Sequence, residues 1–547
     1  MSVHAGLLGN GSLLRSLLSF GLAFTAEWAF TVAISLVAYE DGGAMAVGLV
    51  GLLRLVPAAL LAPVITAYAD RLPRERVLIV TSVVRGLATL AVAPVLLAGG
   101  STLIVYALAV VSTVAFTPFR ASHSALLPSL CRTPGELTAV NVARGTLDSV
   151  SVIVGPLMAA LLLVVADVAA VFVFSGTCSL GAAVLLVRLA YERIAQASTR
   201  PRNLRTEVRE GVVAVATNGG VAVVVGLVVL QAAIRGAFAV LVIVVALDLL
   251  DRPEASVGVL QAAVGIGALA GSLLCTLLVG SRAMTRWLGV AVVLWGAPLA
   301  LIGLVPQYLV ALLAAGVIGV GNALVDVTAF TLIARMVPDA VLARVFGVLE
   351  SVGALAVGLG SLLAPLLIGL LGTRGAFLAV GVVAPVVCLL AWSRLTAIDR
   401  SVAVRTDDID LLRRVPMMRP LPVSVLEQLG RDLHRTAVLD GETVFEAGDP
   451  GDGFYVIADG TVQVLDHDRL VRRMSTGEGF GEIALLGRVT RTMTVRAEGP
   501  VELCVIDSAA FLSAVTSISG ARAAAEEARW TYLSHAPGSD VEEIGPS

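Results

Sequence analysis

The sequence contains no lysine and few charged residues of any kind. Charged side chains make up 14% of the 547 residues, and the formal net charge of −3 gives no sign of nucleic-acid binding. The five cysteines are scattered, without the spacing of metal ligands, so we expect neither a disulfide framework nor a metal site. No basic segment precedes the first apolar run, so we expect no cleaved signal peptide.

Apolar residues are abundant instead. They make up 57% of the chain and give a mean hydropathy of +0.92, far above that of a soluble domain. A helix needs about 20 apolar residues to cross a bilayer. By that measure we predict about twelve spans, which are Leu13–Tyr39, Ala44–Tyr68, Val77–Ala98, Thr102–Leu127, Thr138–Val165, Val168–Leu189, Val213–Leu247, Ser256–Val279, Trp287–Val305, Tyr308–Met336, Val341–Leu371 and Gly375–Leu395.

The loops between the spans predict the orientation of the chain. Basic residues concentrate in one alternating set of loops, which includes Asp70–Arg76, Arg193–Arg209 and Arg335 with Arg344. By the positive-inside rule this set is cytoplasmic, and both termini lie on the same side. We therefore expect a multi-pass protein of the cytoplasmic (inner) membrane.

An internal repeat divides the spans into two sets of six, at about residues 13–190 and 213–395. Gly145–Val150 in span five (Gly-Thr-Leu-Asp-Ser-Val) is echoed by Gly347–Val352 in span eleven (Gly-Val-Leu-Glu-Ser-Val). Repeats of this kind are typical of secondary transporters, whose two halves move around a central site.

The loop Ala69–Arg76 and the pair Gly155–Pro156 give the membrane part, residues 1–395, a resemblance to the major facilitator superfamily. The resemblance implies an α-helical polytopic membrane protein of two six-helix halves. It also implies that Asp70, Arg71 and Arg74 form a gating loop that locks neighbouring helix ends in one access state. Gly155–Pro156 is similar to the span-five signature of the superfamily's drug exporters, which favours export.

Ionisable side chains inside spans cost about 3 kcal/mol each on insertion scales and usually face the protein interior. We expect Glu27 and Arg54 to form a functional or gating pair, and Asp326 and Glu350 to be the next candidates for proton coupling. A carboxylate could carry the coupling proton, an arginine could hold an anionic substrate, or the charges could simply neutralise each other. The full set of transport candidates is Glu27, Arg54, Asp148, Arg235, Asp326 and Glu350.

Two further arginines have plainer explanations. Arg144 and Asp148 are four residues apart on one predicted helix, so they could pair with each other without a role in transport. Arg85 lies near one end of its span, where a long side chain can extend to the membrane surface.

The chain becomes polar after Leu395. We predict a charged linker at 396–420, a folded domain at 421–535 that begins with a short helix at Ser424–Arg435, and a disordered tail at 536–547. Glycines punctuate short β-like runs in Val438–Val462. Gly479–Val495 combines small residues, an acid and an arginine, which are groups that bind a phosphate beside a sugar hydroxyl.

These two blocks resemble the cyclic nucleotide-binding domain family, which includes the catabolite activator protein. The resemblance implies a C-terminal β-roll with flanking helices, in which Arg491 pairs with the phosphate and Glu482 accepts from the ribose 2′-hydroxyl. Met493 stands where the family usually has a small residue. The implied nucleotide-binding positions are Gly481, Glu482, Ile483, Ala484, Arg491 and Thr492.

A last amphipathic helix is predicted at Gly520–Leu533. Its Trp530 or Tyr532 could stack on the base, or could simply pack against the roll. Thr492 would lie near the base and suits either cAMP or cGMP.

Together these features predict a proton-coupled exporter of a small solute that is regulated by a cytosolic cyclic nucleotide, with cAMP favoured over cGMP. We expect no metal and no cofactor beyond that regulatory ligand. Two alternatives stay open: a membrane receptor for cyclic nucleotide that does not transport, and a lipid flippase on the same fold. A channel would need a selectivity-filter loop and fewer spans, and we see no such loop. An enzyme would need a nucleophile–base set in the soluble part, and we find none there.

Overall fold

A computed structural model of the chain describes residues 10–69, 71–131, 134–189, 204–275, 278, 283–337, 339–421, 425–426, 429–430, 433–467, 469–487 and 489–516. The chain forms two compact units, residues 1–398 and 399–547. Several predicted features lie outside the described residues, namely Asp70 of the gating loop, the helix at Gly520–Leu533 with Trp530 and Tyr532, and the tail at 536–547.

The first unit is helical throughout its described parts. Its helices are α1 (Gly11–Ala69), α2 (Arg74–Leu97), α3 (Thr102–Phe116), α4 (Phe119–Leu130), α5 (Pro134–Val165), α6 (Val168–Leu186), α7 (Leu204–Thr217), α8 (Gly219–Val244), α9 (Ala255–Cys275), α10 (Met284–Leu304), α11 (Tyr308–Met336) and α12 (Asp339–Leu412). A π-helical turn, Val245–Leu249, extends α8.

Within the described residues, ten helical stretches are long and apolar enough to cross a membrane. Two of them are bent. Helix α1 leaves helical geometry at Gly42 and Gly43, and α12 does so at Gly372, where φ is +71°. Glycine adopts this left-handed backbone without the penalty that a Cβ brings. Each bent helix therefore supplies two spans, and the predicted first, second, eleventh and twelfth spans all have a helical counterpart.

Glycines allow the helices of the first unit to pack with their backbones almost in contact. A Cβ at Gly267 of α9 would lie 1.8 Å from the carbonyl oxygen of Gly316 in α11, and one at Gly360 of α12 would lie 1.9 Å from that of Ala233 in α8. Small residues are the usual means of close packing between membrane helices. The glycines of spans eight and eleven thus serve packing at these points.

The start of span seven differs from its prediction. Span seven was expected to begin at Val213, but the helix that spans the membrane begins at Gly219, after the cap residue Asn218. The Asn218 side chain accepts hydrogen bonds from the backbone N–H groups of Gly220 and Val221, at 3.1 and 3.2 Å. An amide side chain at this position satisfies donors that the first helical turn leaves free, so α7 and α8 are separate helices.

The second unit contains an antiparallel β-sheet. Its elements are β1 (His434–Val438), β2 (Thr443–Phe445), β3 (Gly453–Asp466), β4 (Arg469–Ser475), β5 (Gly479–Phe480), α13 (Glu482–Gly487), β6 (Thr494–Asp507) and α14 (Ser508–Thr516). The strand order is β1-β6-β3-β4, while β2 pairs with β6 and β5 pairs with β3. One apolar cluster, which includes Phe445, Tyr455 and Phe480, fills the inside of this roll. A second, which includes Phe454 and Phe511, packs helices against its outside.

Two predictions at the start of this unit are wrong. Helix α12 does not end with the last span but continues through most of the predicted linker to Leu412. Its end belongs to the second unit, because Leu411 and Leu412 join the outer apolar cluster and Asp408 pairs with Arg435. Arg435 itself lies in strand β1, not at the end of a short helix.

Candidate functional site

A cavity opens between strand β5, helix α13 and the start of β6. All six predicted nucleotide-binding positions, Gly481, Glu482, Ile483, Ala484, Arg491 and Thr492, line it. The rest of its wall is apolar and comes from Phe445, Val464, Met474, Phe480, Met493 and Val495. The lining thus combines a few polar groups with a mostly apolar surface, as a ligand with a phosphate and a heterocyclic base requires.

Gly481 turns the chain from β5 into α13. Its φ is +97°, in the left-handed region, and a Cβ there would lie 2.7 Å from Nη1 of Arg491. Both the backbone conformation and the space demand glycine. The carbonyl oxygen of Gly481 accepts a hydrogen bond from Arg491 Nη1 at 3.0 Å. The turn therefore helps to hold the arginine in position.

Arg491 is held from three sides. Its Nη2 donates to the carboxylate of Asp452 at 2.6 Å and to the carbonyl oxygen of Gly453 at 2.9 Å. Its guanidinium lies 4.2 Å from the ring centroid of Phe445 and 5.4 Å from that of Tyr455. The side chain is 1% exposed, and its Nε has no hydrogen-bond partner among the described residues. A fixed guanidinium with a free donor is suited to an anionic ligand.

Asp452 is the part of this arrangement that the sequence did not reveal. Partial burial pushes the pKa of its carboxyl upward, but the hydrogen bonds from Arg491 and from the Tyr455 hydroxyl, at 3.1 Å, outweigh burial and lower it. The side chain stays 71% exposed. In the sequence Asp452 is one of several acids near glycines, and only the pairing of β3 with β5 and β6 brings it to the arginine.

Glu482 is the first residue of α13 and is 3% exposed. Its Oε2 has no hydrogen-bond partner within the described part of the chain. Burial raises the pKa of this carboxyl to about 7. A buried acceptor without a partner carries a free-energy penalty, which a hydroxyl donor from a ligand in the cavity would remove.

In the first unit, Glu27 lies between two arginines. Its Oε2 is 2.7 Å from Nη2 of Arg85 and its Oε1 is 3.7 Å from Nη2 of Arg54. Arg54 Nε also donates to Thr113 Oγ1 at 2.9 Å. The prediction that Arg85 extends to the membrane surface is wrong, because its side chain is 1% exposed and its guanidinium lies 4.0 Å from the centroid of Phe116. Arg54 and Arg85 thus share one carboxylate.

Asp148 pairs with Arg120 and not with Arg144. The two Arg120 Nη atoms donate to the two Asp148 oxygens at 3.0 and 3.1 Å. Arg144 instead donates to the hydroxyl of Ser124. The pair that the spacing within one helix would allow is therefore not formed. Arg120 was not among our candidates, because its partner is on another helix and no local spacing signals it.

Asp326 lies within electrostatic range of charges from both halves. Its neighbours are Arg235 and Glu350 in its own half, and Arg120 and Asp148 in the other. Its Oδ2 accepts a hydrogen bond from Nδ2 of Asn322 at 3.2 Å. Four of the six transport candidates, Asp148, Arg235, Asp326 and Glu350, thus form one group, while Glu27 and Arg54 form another.

The described part of the predicted gating loop is short. Arg71 is exposed, and its backbone N–H donates to the carbonyl oxygen of Tyr68 at 3.1 Å. Arg74 is the first residue of α2.

Comparison with known families also gives two parts, of which the first extends beyond the boundary between the units. Residues 16–282 and 224–424 match the Major Facilitator Superfamily, and residues 435–517 match the cyclic nucleotide-binding domain. Among solved structures, that of the nucleoside transporter NupG superposes with a TM-score of 0.61 at 12% identity, covering 71% of this chain and 100% of that one. The predicted fold class, two six-helix halves followed by a β-roll, is confirmed.

Several curated relatives match about a fifth of the chain. A putative potassium channel protein of Rhodopseudomonas palustris is 36% identical over 103 residues, which are 18% of this chain and 25% of that protein. A cGMP-dependent protein kinase of Caenorhabditis elegans is 30% identical over 102 residues, or 19% of this chain and 13% of the kinase. The chain thus spans a quarter or less of the length of these relatives.

Proposed function

Because the chain belongs to the Major Facilitator Superfamily and carries a cyclic nucleotide-binding domain after the transporter fold, we propose that it exports a small solute in exchange for protons under the control of cytosolic cAMP. The observation that carries the regulatory part is the cavity shared by Arg491 and Glu482. It offers a buried cation for the cyclic phosphate and a buried carboxyl for the ribose hydroxyl, one of whose oxygens has no hydrogen-bond partner among the described residues.

The contacts between the two halves support a transport cycle of alternating access. The Tyr39 hydroxyl of α1 donates to Asp248, in the turn after α8, which joins the two halves at one end. At the same end, α1 of the first half packs closely against α12 of the second half, since a Cβ at Gly48 would lie only 2.4 Å from the carbonyl oxygen of Ser361. By the loop charges this is the outer end. Arg120, whose side chain is 55% exposed, lies toward the other end, which this proposal places on the cytoplasmic side.

Regulation requires the nucleotide to bind one access state better than the other. We expect flux through reconstituted protein to change on addition of cAMP to the cytoplasmic face. Addition of cGMP at the same concentration tests the choice of nucleotide. Flux that is identical with and without either nucleotide would contradict the proposal that a cyclic nucleotide regulates transport, even if the nucleotide binds.

Calorimetry on the full chain in detergent tests the sensor directly. Wild-type protein should bind cAMP, and Arg491→Ala should weaken binding by a factor of about 100, since it removes a charge-assisted bond in a buried site. Arg473→Ala is the matched control, because Arg473 pairs with Glu498 on the exposed face of the sheet at 2.8 Å. Absence of heat from the wild-type protein would refute nucleotide binding.

Proton coupling is tested by flux driven by a pH gradient in proteoliposomes. Glu27→Gln should reduce this flux, because it removes the single carboxylate that lies between Arg54 and Arg85. Full pH-driven flux in the variant would assign Glu27 a structural role and leave Asp326 and Glu350 as the coupling candidates.

A further inference from the structure

The two halves of the first unit present opposite net charge to the space between them. In the group described above, the charged residues of the first half are Arg120, Arg144 and Asp148, which leave one excess positive charge. Those of the second half are Asp326, Glu350 and Arg235, which leave one excess negative charge.

Charged groups of the two halves lie within electrostatic range of one another. Asp326 of α11 interacts electrostatically with Arg120 of α4 and Asp148 of α5, across the boundary between the halves. The side chains of Arg120 and Asp148 are 55% and 30% exposed, so a solute between the halves can contact them. The charges of both halves therefore act on the same central space.

The two faces differ in how far their charges are already satisfied. Arg120 holds Asp148 with two hydrogen bonds, and Arg144 is held by the Ser124 hydroxyl. On the opposite face, Arg235 and Glu350 are exposed, and neither has an ion-pair partner among the described residues. Asp148 and Glu350 occupy equivalent positions of the internal repeat. Asp148 is thus neutralised by Arg120, whereas the charge of Glu350 is available to a ligand.

Coulomb forces are strong in a cavity with low-dielectric walls. A solute with one positive charge is attracted to one face and repelled by the other, and a solute with one negative charge meets the reverse. A solute that carries both charges can be attracted to both faces at once.

We propose that the space between the two halves binds a zwitterionic solute, with its anionic group toward Arg120 and Arg144 and its cationic group toward Asp326 and Glu350. The solute is either a free small zwitterion or the zwitterionic headgroup of a lipid. This inference rests on the proposed transport function, because it identifies the chemical class of the transported solute.

The test measures the thermal unfolding of the full chain in detergent with matched probes. The zwitterions are β-alanine, γ-aminobutyrate and ε-aminocaproate, and the single-charge controls are butylamine and butyrate. At least one zwitterion should raise the unfolding temperature, and the controls should not. In proteoliposomes, movement of a fluorescent phosphatidylcholine between leaflets identifies the lipid as the source of the zwitterion, and counterflow of the amino acid identifies the free solute.

Charge variants give the result that is specific to this arrangement. Asp326→Asn should weaken zwitterion binding by about 10-fold and shift preference toward butyrate, because it makes the second face less negative. Arg120→Gln should shift preference toward butylamine, since it leaves Asp148 without its partner. Glu350→Gln repeats the first test if Asp326→Asn does not fold. Arg252→Gln is the control, because Arg252 lies near the Tyr308 ring, at 5.2 Å, at the outer end.

Two results would overturn the inference. One is equal stabilisation of the wild-type protein by butylamine or butyrate and by the zwitterions. The other is binding of none of the zwitterions together with no movement of phosphatidylcholine. Zwitterion binding without pH-driven flux would instead refute the transport proposal and support the zwitterion site. Flux of another solute without zwitterion binding would support transport and refute the zwitterion site.

Discussion

Glu482 makes the stability of the second unit depend on pH. Burial raises the pKa of its carboxyl from an ordinary 4.5 to about 7. Between these values the folded protein keeps a proton that the unfolded chain has released. Folding stability due to this group therefore falls as the pH rises through that window, and is fully present only below it. At about 1.4 kcal/mol per pKa unit, the loss is on the order of 3 kcal/mol between about pH 5 and about pH 8.

Glu482→Gln removes the titrating group and keeps the size of the side chain. Urea denaturation followed by circular dichroism at the two pH values gives the free energy of unfolding of each protein. The two apolar clusters of the second unit lie wholly within it, so a fragment that begins at Asp399 is the material for this assay. We expect the wild-type fragment to lose about 3 kcal/mol relative to the variant as the pH rises.

The comparison isolates Glu482 from the neighbouring acid. The pKa of Asp452 is lowered by its hydrogen bond from Arg491 despite partial burial, so its own contribution is lost only at lower pH. Parallel change of the wild-type fragment and the variant across this pH range would refute the argument that Glu482 is buried without a compensating partner.

Three further changes test the packing around the two sites. Gly481→Ala should weaken cAMP binding by about 10-fold or more, because it combines backbone strain with a clash against the pocket arginine; Gly499→Ala, which has a φ of +82° but open space, should keep binding in the same calorimetric assay. Asp452→Asn should lower cAMP affinity by about threefold to tenfold, since the arginine loses a charge-assisted bond at 2.6 Å; unchanged affinity in the same calorimeter would show that the two carbonyl contacts suffice. Gly267→Ala should lower the unfolding temperature of the full chain in detergent, whereas Gly226→Ala, with no atom within 4 Å, should not; equal effects of the two would contradict the close packing of α9 on α11.

The fold was predictable because its signals are local. Runs of apolar residues fix the spans, and glycines at Gly441, Gly448 and Gly460 mark turns of the roll, where each has a positive φ. The charged end of α12 was missed because a polar helix carries no apolar run. Its helical state depends on packing of Leu411 and Leu412 in the second unit.

The candidate site was predictable only where the residues are close in sequence. Gly481 to Thr492 form one block, and the structure places that block along a single cavity. Asp452 and Arg120 escaped notice because each acts on a partner that is distant in the chain. The same reason explains Arg85, whose position near a span end suggested exposure, whereas the fold buries it against Glu27.

Arg491 is held in place by hydrogen bonds to Asp452, Gly453 and Gly481 of its own domain. A ligand that reaches it therefore does not wait for a long side chain to find its rotamer, and loses little entropy on its behalf. Association of nucleotide should then proceed at a rate set by diffusion into the cavity, and nucleotides of different base should differ in how slowly they leave.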